Sequence, residues 1–172
     1  MLKNVVFACL TIVCFILQTC VFGMIPLIHT VPNLMIVMTA CSGFMRGEKT
    51  GLFIGFFGGL LIDIFFGEIL GFHALLMMYL GFFNGKFYEI FFKEDVKLPL
   101  LLVVISDLTY GFLYYVFWFL LRGRTDFIYY LVNVILPEAV YTILATFFLY
   151  PVILNINIWL EDLERRSEQK FV

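Results

Sequence analysis

The sequence predicts an all-α integral membrane protein with six transmembrane helices, and three observations carry that expectation. The first is composition. Of 172 residues, 63% are hydrophobic and 14% charged, against about 45–50% and about 25% in a soluble domain. Phenylalanine alone supplies 22 residues, and the mean hydropathy is +1.02. A soluble fold of 20.0 kDa has too little interior to hide that much apolar side chain. The second is the clustering of charge, which leaves gaps long enough to cross a bilayer. The third is the sorting of cations: with six crossings and the N-terminus inside, nine Lys and Arg fall on the inner side and two, Arg122 and Arg124, on the outer. The formal net charge of −2 and the lack of any basic run longer than Arg165–Arg166 argue against nucleic acid as a partner.

Each span follows from the breaks. No charge occurs between Lys3 and Arg46. That stretch of roughly 40 residues holds two crossings of about 20 residues each. The break falls at Pro26–Leu27–Ile28–His29–Thr30–Val31–Pro32, where two prolines stop a helix. Helix 1 is expected over 4–27 and helix 2 over 31–45. Arg46–Gly47–Glu48–Lys49 is a tight turn, and helix 3 follows over 51–66. Gly67, Glu68 and Gly71 mark the next turn, so helix 4 is expected over 71–90, its last part an interfacial turn through Lys86 and Glu89. The polar loop Lys93–Lys97 precedes helix 5 over 98–121, which ends at Arg122–Gly123–Arg124. Helix 6 is expected over 127–153. Residues 1–160 are then one six-helix domain, and 161–172 is a polar cytoplasmic tail.

Processing of the N-terminus is the competing account of residues 1–25. The apolar run there is too long for a signal peptide, and no small-x-small site follows it. Gln18 and Thr19 are poor neighbours for a lipidated Cys20. Cys9, Cys14, Cys20 and Cys41 all lie in helices 1 and 2, where they act as small apolar residues without a disulfide or zinc spacing.

Helix 3 carries the strongest internal pattern. Gly47, Gly51, Gly55, Gly59, Asp63 and Gly67 recur every fourth residue, with Gly58 beside the row. Four residues turn a helix by about 400°, so the row is one slowly winding stripe. Small residues at this spacing let two backbones approach closely, which drives association where lipid is as apolar as the neighbouring helix. Gly51, Gly55, Gly59, Asp63 and Gly67 therefore form a packing surface, for a helix of the same chain or for a partner protein.

Three carboxylates lie inside spans, where a charge facing lipid costs at least about 3 kcal/mol. Asp63 sits four residues from Gly67, roughly 6 Å below the helix end, in reach of the headgroups or of a neighbour it could cap. Asp107 is roughly 15 Å deep counted from Lys97, and Glu138 roughly 18 Å deep counted from Asp126. Both should face inward. Asp107, Tyr110, Gly111, Tyr114 and Trp118 share one face of helix 5, and Glu138, Tyr141, Thr142 and Ala145 share one face of helix 6. Asp107, Tyr110, Tyr114, Glu138 and Tyr141 are thus a candidate buried polar network. It suits a substrate pocket, a proton relay, a socket for another protein's helix, or an internal network that holds helix register. No cation lies at matching depth.

Catalysis finds no support in the sequence, and no catalytic residue, cofactor or metal is expected. No Gly-x-Gly-Asp setting precedes Asp63 or Asp107, no serine stands beside a base, and no glycine-rich phosphate loop follows a strand. The two histidines, His29 and His73, are expected at outer helix ends and are too few for a metal site.

Residues 31–89 resemble the rod shape-determining protein MreD family of bacterial inner-membrane proteins. The matching elements are Pro32–Asn33–Leu34, Arg46–Gly47, the glycine-spaced helix ending Gly58–Gly59–Leu60–Leu61–Ile62–Asp63, then Gly67, Leu70–Gly71, Ala74–Leu75, Gly81 and Gly85. Leu136–Pro137–Glu138 with Tyr141, and Tyr150–Pro151, look like the family's last helix. His73 stands where the family often has a small polar residue such as asparagine. The resemblance implies a fold similar to the six-helix substrate-binding subunits of energy-coupling-factor transporters. It also implies a non-enzymatic scaffold of the cell-wall elongation machinery in the cytoplasmic membrane, with both termini cytoplasmic. Such a scaffold acts with MreC and through it with a class B penicillin-binding protein, RodA and MreB. Partner contact is expected around Gly67–Phe72 and Arg122–Phe127 and on a helix face. The alternative is a vitamin-binding transporter subunit, but such subunits dock through alanines three apart on helix 1, where this chain has Ala8, Cys9 and Thr11.

Overall fold

The computed structural model describes residues 2–21, 31–90, 97–120 and 127–169. The expected end of helix 1 at 27, most of the Pro26–Pro32 break, the loop at 93–96, Arg122–Asp126 and residues 170–172 lie outside them. Every regular element among the described residues is helical. Helix α1 spans Leu2–Ile16 and ends in a π turn, Leu17–Val21. Helix α2 is Leu34–Arg46, α3 is Glu48–Phe66 and α4 is Phe72–Gly85, followed by a 3-10 turn, Tyr88–Ile90. Helix α5 spans Lys97–Tyr115 and continues as a π turn, Val116–Leu120. The last rod is continuous: α6, Phe127–Tyr130, a π turn, Leu131–Ile135, and α7, Leu136–Gln169. Three helices, Glu48–Phe66, Lys97–Trp118 and Phe127–Leu163, are long and apolar enough to cross a membrane, and Val5–Cys20 and Leu34–Arg46 are shorter apolar helices.

Helix boundaries differ from the sequence reading where side chains intervene. Helix α2 starts at Leu34 because Asn33 caps it, its Oδ1 accepting the Ile36 N–H at 3.3 Å. Helix α4 itself stops at Gly85, and the expected interfacial stretch through Glu89 includes a separate 3-10 turn, Tyr88–Ile90. The last helix does not end at 153. It runs to Gln169, so most of the expected polar tail is helical. Pro151 removes one N–H from the ladder but does not break the rod. Beyond it, Ile153, Asn157 and Leu160 are all buried and hold the helix against its neighbours. Ahead of α7, Pro137 cannot donate to the residue-133 carbonyl, and the chain widens there into the π turn, with the Leu136 N–H reaching Leu131 O.

Helix α2 is the axis of the molecule. Every residue from Leu34 to Met45 is buried, which is the pattern of a helix apolar on all sides. Phe7, Cys14 and Phe15 of α1, Ile54 of α3, Met77 and Leu80 of α4, Val103 and Tyr110 of α5, and Tyr150, Ile153 and Leu160 of α7 join it in one core. Large apolar side chains point outward from the surrounding helices, among them Phe53, Phe66, Leu70, Ile128 and Phe148. An outward face of this kind suits hydrocarbon and would be a liability in water.

The most extensive helix pair is α3 with α4, and the glycine row makes it. A Cβ on Gly51 would strike the Gly81 carbonyl, one on Gly55 the Met77 carbonyl, and one on Gly59 the His73 carbonyl and the Ala74 backbone. The fit is reciprocal: a Cβ on Gly81 would strike Gly51 O, and one on Gly85 the Glu48 backbone. Helix α2 closes the third side, where a Cβ on Gly43 would stand 2.5 Å from Gly81 O. The row is therefore filled by α4 of the same chain and offers no open groove to a partner at Gly51, Gly55 or Gly59. Gly58 lies off the row, and its Cβ would meet side chains rather than backbone: the flexible end of Met35 at 2.9 Å and Thr11 Cγ2 at 3.4 Å.

This contrast is testable by thermal unfolding in detergent. Gly55→Ala should destabilise by about 1–3 kcal/mol, because rigid backbones must separate. Gly58→Ala should be close to neutral, since the Met35 side chain can yield and alanine favours the helix. Equal behaviour of the two variants would contradict the packing described.

Candidate functional site

The two ends of the bundle carry different chemistry. At the Arg46 end, the guanidinium Nε donates to Asn157 Oδ1 at 2.6 Å, and Asn157 Nδ2 donates to Glu161 Oε1 at 2.9 Å. The guanidinium also lies 4.7 Å from the centre of the Phe7 ring. One cation thus ties α1, α2 and α7 together by a charge-assisted hydrogen bond and a cation–π contact.

At the opposite end Asp63 is 3% exposed. Its Oδ2 accepts the N–H groups of Gly71 and Ala74, both at 2.9 Å, and its Oδ1 accepts the His73 N–H at 3.0 Å. Three donors at the start of α4 are satisfied by a carboxylate from α3, and the partial positive charge of that helix end favours it. Gly71, with φ of 99°, makes the left-handed turn that brings those N–H groups round to face Asp63. The row residue Asp63 is therefore the latch that follows Gly51, Gly55 and Gly59. Gly67 continues it at the α3 C-terminus, where its N–H bonds Asp63 O and Ile62 O, both at 3.1 Å.

With α4 so placed, His73 meets α5. His73 Nδ1 and Tyr110 Oη share a hydrogen bond of 2.7 Å. The imidazole stacks on Tyr114, centroids 5.7 Å apart and planes 16° apart. Tyr114 stacks in turn on Trp118, and Phe72 packs edge-on against Tyr114, Phe117 and Trp118. Across the bundle, Asn33 joins α2 to α7: its backbone N–H donates to Thr142 Oγ1 at 3.0 Å and its Nδ2 to Glu138 Oε1 at 3.3 Å. The Thr142 hydroxyl hydrogen-bonds Asp107 on α5. Asp107 is 3% exposed, and its Oδ1 has no hydrogen-bond partner among the described residues. On the neighbouring helix, Gln18 Oε1 accepts the Met35 N–H at 3.2 Å.

These groups surround a cavity of about 540 Å³, a volume suited to a small molecule. Its walls come from the C-terminal parts of α1 and α3, the N-terminal parts of α2 and α4, α5, and the π turn before α7. They include Phe15, Gln18, Asn33, Ile62, His73, Tyr110, Tyr114, Tyr130, Asn133 and Glu138. Of the expected network, Tyr110, Tyr114 and Glu138 line the cavity together. Asp107 lies behind it, against Thr142. Tyr141 is half-buried and not among the walls; of the helix 6 face, Glu138 lines the cavity, Thr142 is buried behind it and Ala145 packs on the core. The sequence reading missed Asn33 and His73 as site residues. Asparagine directly before an apolar helix is an N-cap signal that could have marked Asn33. His73 carried no signal beyond its place in the first turn of α4.

The rod shape-determining protein MreD family model matches residues 1–156. The chain belongs to this family. Neither the curated proteins nor the solved structures compared with it gave a match. MreD proteins determine rod shape and are not a known enzyme family, and the apolar helices agree with a membrane protein. The MreD resemblance read from residues 31–89 thus extends over nearly the whole chain. Among the described residues there is no group of three His, Cys, Asp or Glu side chains that could hold a metal. The walls offer aromatic faces, amides and one carboxylate, which recognise by stacking and hydrogen bonding.

Two substitutions probe how this end is held. Asp63→Asn keeps one acceptor but turns an amide toward the α4 N–H groups. It should lower stability by about 1–3 kcal/mol in thermal unfolding. Asn33→Ala removes the α2 cap and the Glu138 contact and should cost about 1 kcal/mol. A wild-type melting temperature for either would remove that residue's structural role.

Proposed function

We propose that this MreD-family chain is a non-enzymatic scaffold of the cell-wall elongation complex in the bacterial cytoplasmic membrane. It binds MreC directly and reaches a class B penicillin-binding protein, RodA and the MreB filament through it. The observation that carries this reading is the family match over residues 1–156. The proposed topology has six crossings with both termini cytoplasmic. It is supported by the nine-to-two sorting of cations. Helices α2 and α4, about 20 Å long, are short for the hydrocarbon core of about 30 Å, but α2 is enclosed by protein, where a short helix can be tolerated. The fold of energy-coupling-factor substrate-binding subunits remains the architecture that the family resemblance suggests. In this orientation Arg46 lies at the cytoplasmic end and the cavity at the outer end.

Because α4 fills the glycine row, the surface assigned to MreC moves to the outer end of α3 and the turn that follows. Phe65, Phe66, Ile69 and Leu70 are each more than half exposed there. A second reading, a vitamin-like binding subunit of a transporter, is favoured by the ligand-sized cavity, while helix 1 lacks the alanine pair such subunits use for docking.

Co-purification with MreC from the same genome tests the scaffold reading. A stable complex is expected by size exclusion and native mass. Ile69→Glu with Leu70→Glu should reduce MreC capture by about tenfold or more, on the scale of a lost interface hot spot, without lowering the melting temperature of the isolated protein. A protein that runs alone in the presence of MreC would overturn the proposal.

A further inference from the structure

We propose that the cavity at the outer end of the bundle is a binding site for a small organic cation with an aromatic or alkylammonium body. Two independent features of the site carry this. The first is a pair of carboxyl groups with no cationic partner among the described residues. Glu138 stands in the wall, its Oε1 held by the Asn33 amide. Asp107 lies next to it, close enough for the two carboxyls to interact, and carries a buried oxygen without a hydrogen-bond partner among the described residues. No Lys or Arg is among the lining residues, and no described cation acts on either carboxyl. A buried carboxyl ionises at low cost only when a cation joins it. A ligand with a phosphate or carboxylate would add to that cost, so the site discriminates against anionic headgroups.

The second feature is the aromatic part of the wall. Tyr110 and Tyr114 stack with centroids 6.4 Å apart and planes 28° apart, and His73 is locked beside them by its hydrogen bond to Tyr110. Tyr130 adds a further ring from the α6 side. Faces of tyrosine rings carry negative potential and attract cations, most strongly where water is excluded. Phe15 and Ile62 supply an apolar floor for the rest of the molecule. A carboxyl group, aromatic rings and apolar side chains lining one cavity together select charge and shape at once. Of the surface assigned to MreC only Phe66 lines the cavity; Phe65, Ile69 and Leu70 do not, and the inference does not depend on that assignment.

Titration calorimetry of the full-length protein in maltoside detergent tests the inference, with benzyltrimethylammonium as the probe. Saturable binding is expected, with neutral N-benzylacetamide and anionic phenyl phosphate each weaker by about tenfold or more. Glu138→Gln keeps an acceptor for Asn33 and should weaken probe binding by about tenfold with the protein still monodisperse. Tyr114→Leu is the second variant and should weaken it by several-fold through the lost ring face, whereas Tyr141→Phe, outside the walls, should leave it unchanged. Absence of saturable binding, equal binding of the neutral compound, or wild-type affinity in both Glu138→Gln and Tyr114→Leu would overturn the proposal.

Discussion

The close approach of α3 and α4 is the constraint on which the rest of the molecule depends. In a bilayer, helices gain little from hiding apolar surface, so contact distance decides which pairs form. Glycine at every fourth position of α3 lets the backbone of α4 lie directly against it, with Gly81 and Gly85 answering from the other side. The pair is closed at one end by Asp63, whose carboxylate accepts three N–H groups from the start of α4. Dispersion along the row and hydrogen bonds at its end act on the same two helices. Register and separation are thereby set together.

Everything at the Asp63 end of the bundle inherits that placement. His73 sits in the first turn of α4, so the latch on that turn also sets where the imidazole meets Tyr110 and stacks on Tyr114. Asn33 does the corresponding work from α2: one residue caps its own helix, donates to Glu138 and donates to Thr142. Asn33, His73 and the aromatic rings held by these two polar fasteners line the cavity, with helix ends converging around it. At the other end Arg46, Asn157 and Glu161 clamp α2 to α7. An axis made wholly of buried residues is held at both ends by polar contacts, which give direction that apolar packing alone lacks.

Asp63 illustrates how a residue can be legible in type and ambiguous in role. An acid near a helix end, in a row of glycines, could have faced headgroups or capped a neighbour, and both readings follow from depth alone. The choice depends on the φ of Gly71, which turns the chain so that α4 begins under the carboxylate. The extension of the last helix to Gln169 has a similar origin. Pro151 and the charges after 161 argue for a stop near 153, but Asn157 and Leu160 are buried against α2 and its neighbours, and that tertiary contact outweighs the local signal.

The sequence by itself determined the helical, apolar class of the protein, the row of close-packing glycines, the place of Asp107 and Glu138 within apolar helices, and the shared face of Tyr110 and Tyr114. Each of these is a matter of composition or of spacing along one helix, and helical periodicity is local. Only the tertiary structure decided that α4 fills the glycine row, that Asn33 reaches Glu138 across 105 residues of chain, that His73 joins Tyr110, and that Tyr141 stays out of the cavity. Those outcomes depend on the rotation and tilt of each helix against its neighbours. A periodic pattern names the face of a helix but carries no information about which other face it will meet.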